Sequence, residues 1–314
     1  MKIGIVGTGL VGSTAAYSLV LQGIGSELVL VDHVPALAKA HVMDILHATP
    51  LTHPLRVSCG NFEDLHGCSL VVVAAGVNQQ PGESRLALLQ RNAAIFSEII
   101  PSILRHAGEA ILLIASNPLD IMTQLATRYA VQAGASPSSV IGTGTILDTA
   151  RFRSLIAREY GVAANSVHAY VLGEHGDSEV LAWSGASIAS IPLQRFASEA
   201  GRPLTDELKA TIDAGVRRAA YEIIAGKGAT YYGIGAAIAT LCRCILFDER
   251  AVYTVCTVNP QAFGITDVAL SLPHVIGRQG IISTLIPDLS EDEKAAMHNS
   301  ARLIQAALHS LTPV

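Results

Sequence analysis

The segment Gly7-Thr8-Gly9-Leu10-Val11-Gly12 follows directly on the strand-like run Lys2–Val6 and opens the apolar, helix-compatible stretch Leu10–Leu21. A strand, a tight glycine turn and a helix in immediate succession restrict the chain to folds built from βαβ units. Each glycine has a steric task. Gly7 makes the turn, Gly9 lets a pyrophosphate approach the backbone, and Gly12 lets helix and strand pack closely. Phosphate oxygens would rest on the helix N-terminus, where unpaired N–H groups and the helix dipole attract anions, with Val11 beside them. Asp32 stands at the end of the next strand-like run, twenty residues after Gly12. A carboxylate there can hydrogen-bond both ribose hydroxyls of an adenosine and would repel a 2′-phosphate, so NAD is favoured over NADP; FAD stays open on this pattern alone.

The same alternation continues. Short β-branched runs at Lys2–Val6, Leu28–Val31, Leu70–Ala74, Ile111–Ala115 and Val140–Ile141 are separated by helical segments such as Leu10–Leu21 and Arg85–His106. This predicts an α/β fold with a doubly wound parallel Rossmann sheet over 1–143. The second half is mixed, with a strand near Val167–Leu172, helices about Leu204–Ala225 and Tyr231–Phe247, strands around Ala251–Val258 and Val268–Ile276, and a helix after Ser290. It predicts a C-terminal α+β substrate domain over 144–314. No linker or repeat separates the halves, so they should pack intimately.

Composition excludes several function classes. Half of the 314 residues are hydrophobic and only 15% are charged, with a mean hydropathy of +0.41. The apolar runs are nevertheless strand-length, and Arg243 interrupts the longest of them, so no segment reaches the roughly 18–20 residues that a bilayer requires. Buried parallel strands and subunit contacts account for the surplus. A net charge of -5 without a basic block gives no footprint for nucleic acid. The N-terminal run reads as a first strand rather than a signal peptide, which predicts a cytoplasmic protein. The cysteines Cys59, Cys68, Cys242, Cys244 and Cys256 form no Cys-x-x-Cys and fit reduced structural thiols better than disulfides or zinc. No ligand cluster calls for a metal.

Five further segments carry chemistry: Ala75-Gly76-Val77-Asn78-Gln79-Gln80-Pro81-Gly82-Glu83-Ser84-Arg85, Ala115-Ser116-Asn117-Pro118-Leu119-Asp120, Leu147-Asp148-Thr149-Ala150-Arg151-Phe152-Arg153, Gly173-Glu174-His175-Gly176-Asp177-Ser178 and Lys227-Gly228-Ala229-Thr230-Tyr231-Tyr232. In residues and in order, from Met1 to the C-terminal helix, the chain resembles the lactate/malate dehydrogenase family. The resemblance implies hydride transfer between NAD and the 2-carbon of a small 2-keto or 2-hydroxy acid, with the L-hydroxy acid as the reduced product.

Such a reduction needs a proton donor that works near neutral pH, and histidine is the natural choice. His175 is similar to the family's catalytic histidine, and Asp148 to the carboxylate that fixes its tautomer and raises its pKa. Arg151, three residues after Asp148 and so on the same helical face, resembles the clamp for the substrate carboxylate. Arg85 resembles the loop arginine that polarises the carbonyl when the segment from Asn78 to Ser84 closes. The resemblance gives Asn117 to substrate and nicotinamide ribose, and Thr230 to the substrate pocket. It also implies that Gly76, Val77 and Thr143 line the cofactor.

Gln79, six residues before Arg85, occupies the position at which malate-specific members carry an arginine. A neutral side chain there would leave a second substrate carboxylate desolvated and unpaired, so pyruvate is expected over oxaloacetate. Larger 2-keto acids stay open, because each methylene changes selectivity by only about 1–3 kcal/mol. A malate dehydrogenase and a non-catalytic NAD-binding protein are the rival readings. Arg153 and His168 match the pair that binds fructose 1,6-bisphosphate between subunits in activated bacterial members, which implies an allosteric site and a homotetramer.

Overall fold

The computed structural model describes residues 1–77, 82–259 and 263–311, without the side chains of Arg85 and Asn259. The first half runs β1 (Lys2–Val6), α1 (Leu10–Gln22), β2 (Glu27–Val31), α2 (Pro35–Leu46), β3 (Arg56–Cys59), β4 (Cys68–Val73), α3 (Arg85–Ala107), β5 (Ile111–Ile114), α4 (Leu119–Gln132) and β6 (Val140–Gly142). Then come α5 (Ile146–Tyr160), the short strands β7 (Val167–His168), β8 (Val171–Leu172), β9 (Val180–Leu181), β10 (Ser187–Ile188) and β11 (Ile191–Pro192), and helices α6 (Leu193–Glu199), α7 (Asp206–Lys227) and α8 (Tyr232–Leu246). The strands β12 (Ala251–Asn259), β13 (Val268–Gly277) and β14 (Gly280–Thr284) and helix α9 (Glu291–His309) complete the described chain.

The six strands of the first half pair in parallel in the order β3-β2-β1-β4-β5-β6. Every residue of β5, and all but the first of β1 and β2, is buried. That is why these strands read as unbroken apolar runs rather than alternating ones. One core layer packs α1, α2 and α8 on one face of the sheet, with Leu19, Val42 and Ile238 among its buried side chains. The other packs α3, α4 and α9, with Phe96, Met122 and Ile304. Leu172 and Val180 join this second layer, so both halves of the chain share a core.

The sheet also runs on past its parallel part. Strand β12 meets β6 antiparallel at Cys256–Gly142, and β13 and β14 follow outward. The expected strand Val167–Leu172 divides instead into β7, which pairs with β10, and β8, which pairs with β9. Its two ends serve different small sheets.

The apolar stretch that raised the membrane question is α8. Its 15 residues span about 22 Å, short of the roughly 30 Å of a bilayer core. Its small residues have a packing reason: a Cβ on Gly235 would come within 2.6 Å of Thr14 on α1, so the two helices cross closely. Among the described residues no helix is long and apolar enough to cross a membrane, and no cluster of His, Cys, Asp and Glu could hold a metal ion.

Candidate active site

The carboxyl ends of β1, β4, β5 and β6 deliver Gly7–Gly12, Ala74–Val77, Asn117 and Thr143 to the edge where the strand order reverses, the usual ligand crevice of such sheets. Gly7 takes φ +93, and a Cβ there would stand 2.4 Å from the Ala75 nitrogen. A Cβ on Gly12 would lie 1.9 Å from the Gly7 carbonyl oxygen, whereas one on Gly9 would meet nothing within 4 Å. Two glycines therefore let the backbone fold tightly, and the middle one leaves its outer side open. The first turn of α1, which includes Val11, carries no acidic residue, and no side chain caps it. An anion can use its N–H groups.

Asp32, just past β2, accepts hydrogen bonds from the Thr8 backbone N–H (2.6 Å), the Thr8 hydroxyl (2.9 Å) and the Val34 N–H (2.9 Å). Burial works against its charge, but these donors outweigh it and hold the carboxyl below its ordinary pKa. A carboxylate held below its ordinary pKa beside the glycine turn fits a ribose diol. Asn92, buried on α3, carries no signal in the sequence. It accepts the Val77 N–H (2.9 Å) and donates to the Asn117 carbonyl (3.0 Å), tying together the loops after β4 and β5. Asn117 itself is exposed at the end of β5, and its bond to Pro118 is cis. Thr143 is buried, its N–H donating to the Ile114 carbonyl at 2.9 Å. These residues fit a dinucleotide.

Helix α5 supplies the second group. The Thr145 hydroxyl donates to the Val171 carbonyl (2.5 Å), and the Val171 N–H donates to the Thr149 hydroxyl (2.9 Å). The start of α5 is thereby fastened to β8, the strand that leads into His175. Asp148 and His175, distant in sequence, meet as a result: Asp148 Oδ2 lies 2.7 Å from His175 Nδ1. Asp148 Oδ1 accepts from Arg151 Nη1 at 2.6 Å, so one nearly buried carboxylate holds both side chains. Spacing alone predicts Arg151 and Asp148 on one face, and in the structure they form a direct ion pair.

Burial tends to lower the His175 pKa, but the charge and hydrogen bond of Asp148, with the charges of Asp120 and Glu179, raise it to about 9. Since 30% of the side chain stays exposed, the carboxylates and not burial decide the direction. Burial likewise tends to raise the Asp148 pKa, and it is overcome by His175 and Arg151, which hold the carboxyl below its ordinary range.

The loop around His175 has more supports than the sequence revealed. Arg217 of α7 donates to the Asp177 carbonyl (2.9 Å), and the Tyr221 hydroxyl to the Asp177 carboxylate (2.8 Å). Glu179 is buried with Oε1 lacking a hydrogen-bond partner among the described residues, and burial followed by the Asp148 charge pushes its pKa up to about 8. Thr230 and Arg151 line one hollow of about 440 Å³ with Leu147, Ile223 and Lys227. No side chain caps the start of α8, so Thr230 is not spent as a helix cap there. The Lys227 ammonium sits 3.1 Å from the centre of the Tyr231 ring.

Gln79 lies outside the described residues, as does the Arg85 side chain; the Arg85 backbone begins α3. Gly76 abuts Asn92, whose Oδ1 would lie 3.1 Å from a Cβ there. Arg153 donates through Nε to the Ala169 carbonyl (2.9 Å) and stacks 5.0 Å from the Tyr170 ring, while His168, on β7, is exposed.

Known proteins resemble this chain over its whole length. The L-lactate dehydrogenase of Thermus aquaticus is 56% identical over 311 residues, covering 99% of each chain. That of Geotalea daltonii is 52% identical with the same coverage. The solved structure of a minor L-lactate dehydrogenase from Enterococcus mundtii, in a ligand-bound form, superposes with a TM-score of 0.95 at 37% identity, covering 100% of this chain and 99% of that one. The sequence pattern of the lactate/malate dehydrogenase NAD-binding domain matches residues 1–142, and that of the alpha/beta C-terminal domain matches 145–312. With both patterns matched end to end, the chain belongs to the lactate/malate dehydrogenase family.

Proposed function

We propose that the chain is an NAD-dependent L-lactate dehydrogenase that interconverts pyruvate and L-lactate, with His175 as general acid and base. The observation that carries this reading is the single carboxylate of Asp148 holding the His175 imidazole at 2.7 Å and the Arg151 guanidinium at 2.6 Å. A proton donor and an anion clamp are thereby fixed relative to each other, which is what a keto acid requires at its two polar ends.

Asp148 accepts a hydrogen bond from Nδ1–H, which leaves Nε2 as the nitrogen that exchanges a proton with substrate. With its pKa raised to about 9, His175 is an imidazolium at neutral pH and can give that proton to the carbonyl oxygen. When bound, NADH would supply the hydride that the 2-carbon receives. Arg151 has an Nη1 on Asp148 and offers its remaining donors to the substrate carboxylate. Asn117 and Thr230 bound the substrate, Arg85 polarises the carbonyl, and Gln79 disfavours a second carboxylate. Gly7, Gly9, Val11, Gly12, Asp32, Gly76, Val77 and Thr143 hold the dinucleotide. We divide the work at 143/144, just after β6, between a dinucleotide lobe (1–143) and a substrate lobe (144–314).

The test is NADH oxidation with pyruvate, oxaloacetate and 2-ketoisocaproate across pH. Pyruvate should have the highest kcat/KM. Its reduction should be flat near neutrality and fall as pH rises toward 9, while lactate oxidation rises over the same range, because the two directions need opposite protonation states of His175. A preference for oxaloacetate would sink the substrate assignment, and an absent pH dependence the assignment of His175.

We further propose a cytoplasmic homotetramer activated by fructose 1,6-bisphosphate at Arg153 and His168. Support comes from the large apolar side chains left exposed on α1 and α2, such as Tyr17, Leu21, Met43 and Leu46, and from Arg153 opening on a hollow of about 490 Å³ with Tyr170 and Asn165. The bisphosphate should lower the apparent KM for pyruvate, and the double variant Arg153→Gln, His168→Gln should lose that response. Unchanged saturation curves at acidic and neutral pH would refute the site.

A further inference from the structure

Three consecutive backbone N–H groups lead into the His175 ring, and each is held by a different element. The Gly173 N–H donates to the Ser271 carbonyl of β13 at 2.9 Å. The Glu174 N–H donates to the Ser300 hydroxyl of α9 at 2.7 Å. The His175 N–H donates to Asp120 Oδ2 of α4 at 2.8 Å. The approach is tight as well, since a Cβ on Gly173 would stand 2.8 Å from the Ser300 hydroxyl. Only the last of these three acceptors is a carboxylate, and it serves the residue that carries the imidazole.

Asp120 is an expensive choice for a merely structural acceptor. The side chain is buried, its Oδ1 has no hydrogen-bond partner among the described residues, and the side-chain donor facing the carboxyl is the weak Cys256 thiol. An asparagine would accept the same N–H without burying a charge. What the carboxylate adds is a negative charge facing His175.

We propose that Asp120 is a positioning residue for hydride transfer, fixing the His175 main chain through Oδ2 and helping its imidazole to keep a proton through its charge. The inference rests on His175 being the proton donor of the proposed reaction. The groups facing Asp120 are His175 and Glu174 from the loop after β8 and Cys256 from β12, which also meets Thr123 of α4. Those facing His175 are Asp148, Asp120 and Glu179, with Arg151 on Asp148 and both Arg151 and Arg217 near Glu179. Burial pushes the Asp120 carboxyl up to about 6. It is therefore mostly ionised at neutral pH, yet its charge costs stability there, because a raised carboxyl pKa means the folded state disfavours the ion.

The discriminating variant is Asp120→Asn, which keeps an acceptor for the His175 N–H and removes the charge. The midpoint of the His175 ring, followed by NMR, should fall by about half a unit to one unit, as for loss of one nearby charge. Pyruvate reduction should lose activity at lower pH than in the parent. Tm at pH 7.5 should be equal or higher, whereas a purely structural role would lower Tm and leave the midpoint alone. An unchanged midpoint overturns the proposal. Should the variant not fold, the unaltered protein supplies the test: the His175 backbone amide should titrate with a midpoint near 6, that of the acid it bonds, and a pH-invariant amide overturns the proposal equally. Neither NMR readout uses substrate. If the unaltered protein fails to reduce pyruvate while these titrations behave as stated, the pyruvate reading falls and the Asp120–His175 coupling stands.

Discussion

Asp148→Asn should slow pyruvate reduction by about 10²- to 10⁴-fold at pH 7.5 while leaving NADH binding nearly intact, the range seen when a general acid or the group that orients it is lost. The effect is large because the carboxylate does three things at once. It accepts from Nδ1 and so leaves Nε2 to face substrate; its charge raises the imidazole pKa; and its second oxygen holds Arg151. An amide can imitate the hydrogen bond in one orientation, but it brings no charge and can present its NH₂ to the ring instead. His175 should then titrate well below 9, since burial pulls its pKa down once the strongest opposing charge is gone. The pH profile therefore separates this explanation from simple misfolding: the falling limb of pyruvate reduction should move to lower pH. Stability should respond with a definite sign. A histidine with a raised folded-state pKa stabilises the fold below its unfolded pKa of 6.5 and loses that contribution as pH rises through about 9. The parent's Tm should thus decline across that window, and the variant's should decline less. NADH titration by fluorescence checks that the cofactor lobe is intact. A variant retaining more than a tenth of parental kcat with an unmoved pH profile would show that another group carries the proton.

The legibility of this chain differs sharply between its halves, for physical reasons. Strands buried on both faces leave unbroken β-branched runs, so β1, β4 and β5 are evident in the sequence, and the glycine turn is evident because Gly7 and Gly12 have no room for a Cβ. The short pairings of β7 with β10 and β8 with β9 leave no such trace, and Val167–Leu172 reads as one strand although its ends join different sheets. The site divides in the same way. His175, Asp148 and Arg151 stand out because their segments resemble the motifs of the lactate/malate dehydrogenase family, and those residue types suit the reaction the resemblance implies. Asn92, Asp120, Glu179 and Ser300 do not, since a buried asparagine or serine on a helix is indistinguishable from a surface one until its partner across the fold is known. Even Asp120, within the segment Ala115–Asp120, has a partner that depends on α4 meeting the loop after β8, which the sequence does not show.

Arg151→Lys should lower kcat/KM for pyruvate by about 30- to 1,000-fold. Losing one charge-assisted arm of a bidentate pair, with the geometry it fixes, costs roughly 2–4 kcal/mol. Lysine keeps the positive charge but replaces a planar fork, with donors in fixed directions, by one compact ammonium. In the parent, Nη1 is already on Asp148, so the fork works in two directions at once, one donor inward to the buried acid and others outward to substrate. An ammonium on a shorter reach can serve one of these well. If it stays with Asp148, the pH dependence set by His175 should survive and the loss should appear mainly as a raised KM. If it turns to substrate, Asp148 loses a cation that holds its pKa down, and kcat should fall with KM raised less. Measuring kcat and KM separately against pH distinguishes the two, because removal of uniform substrate binding and loss of transition-state stabilisation leave different signatures. Arg151→Leu removes both functions and should be worse than lysine in either case. A lysine variant with parental kcat/KM would mean that the guanidinium serves only to anchor Asp148, and that the substrate carboxylate is held elsewhere.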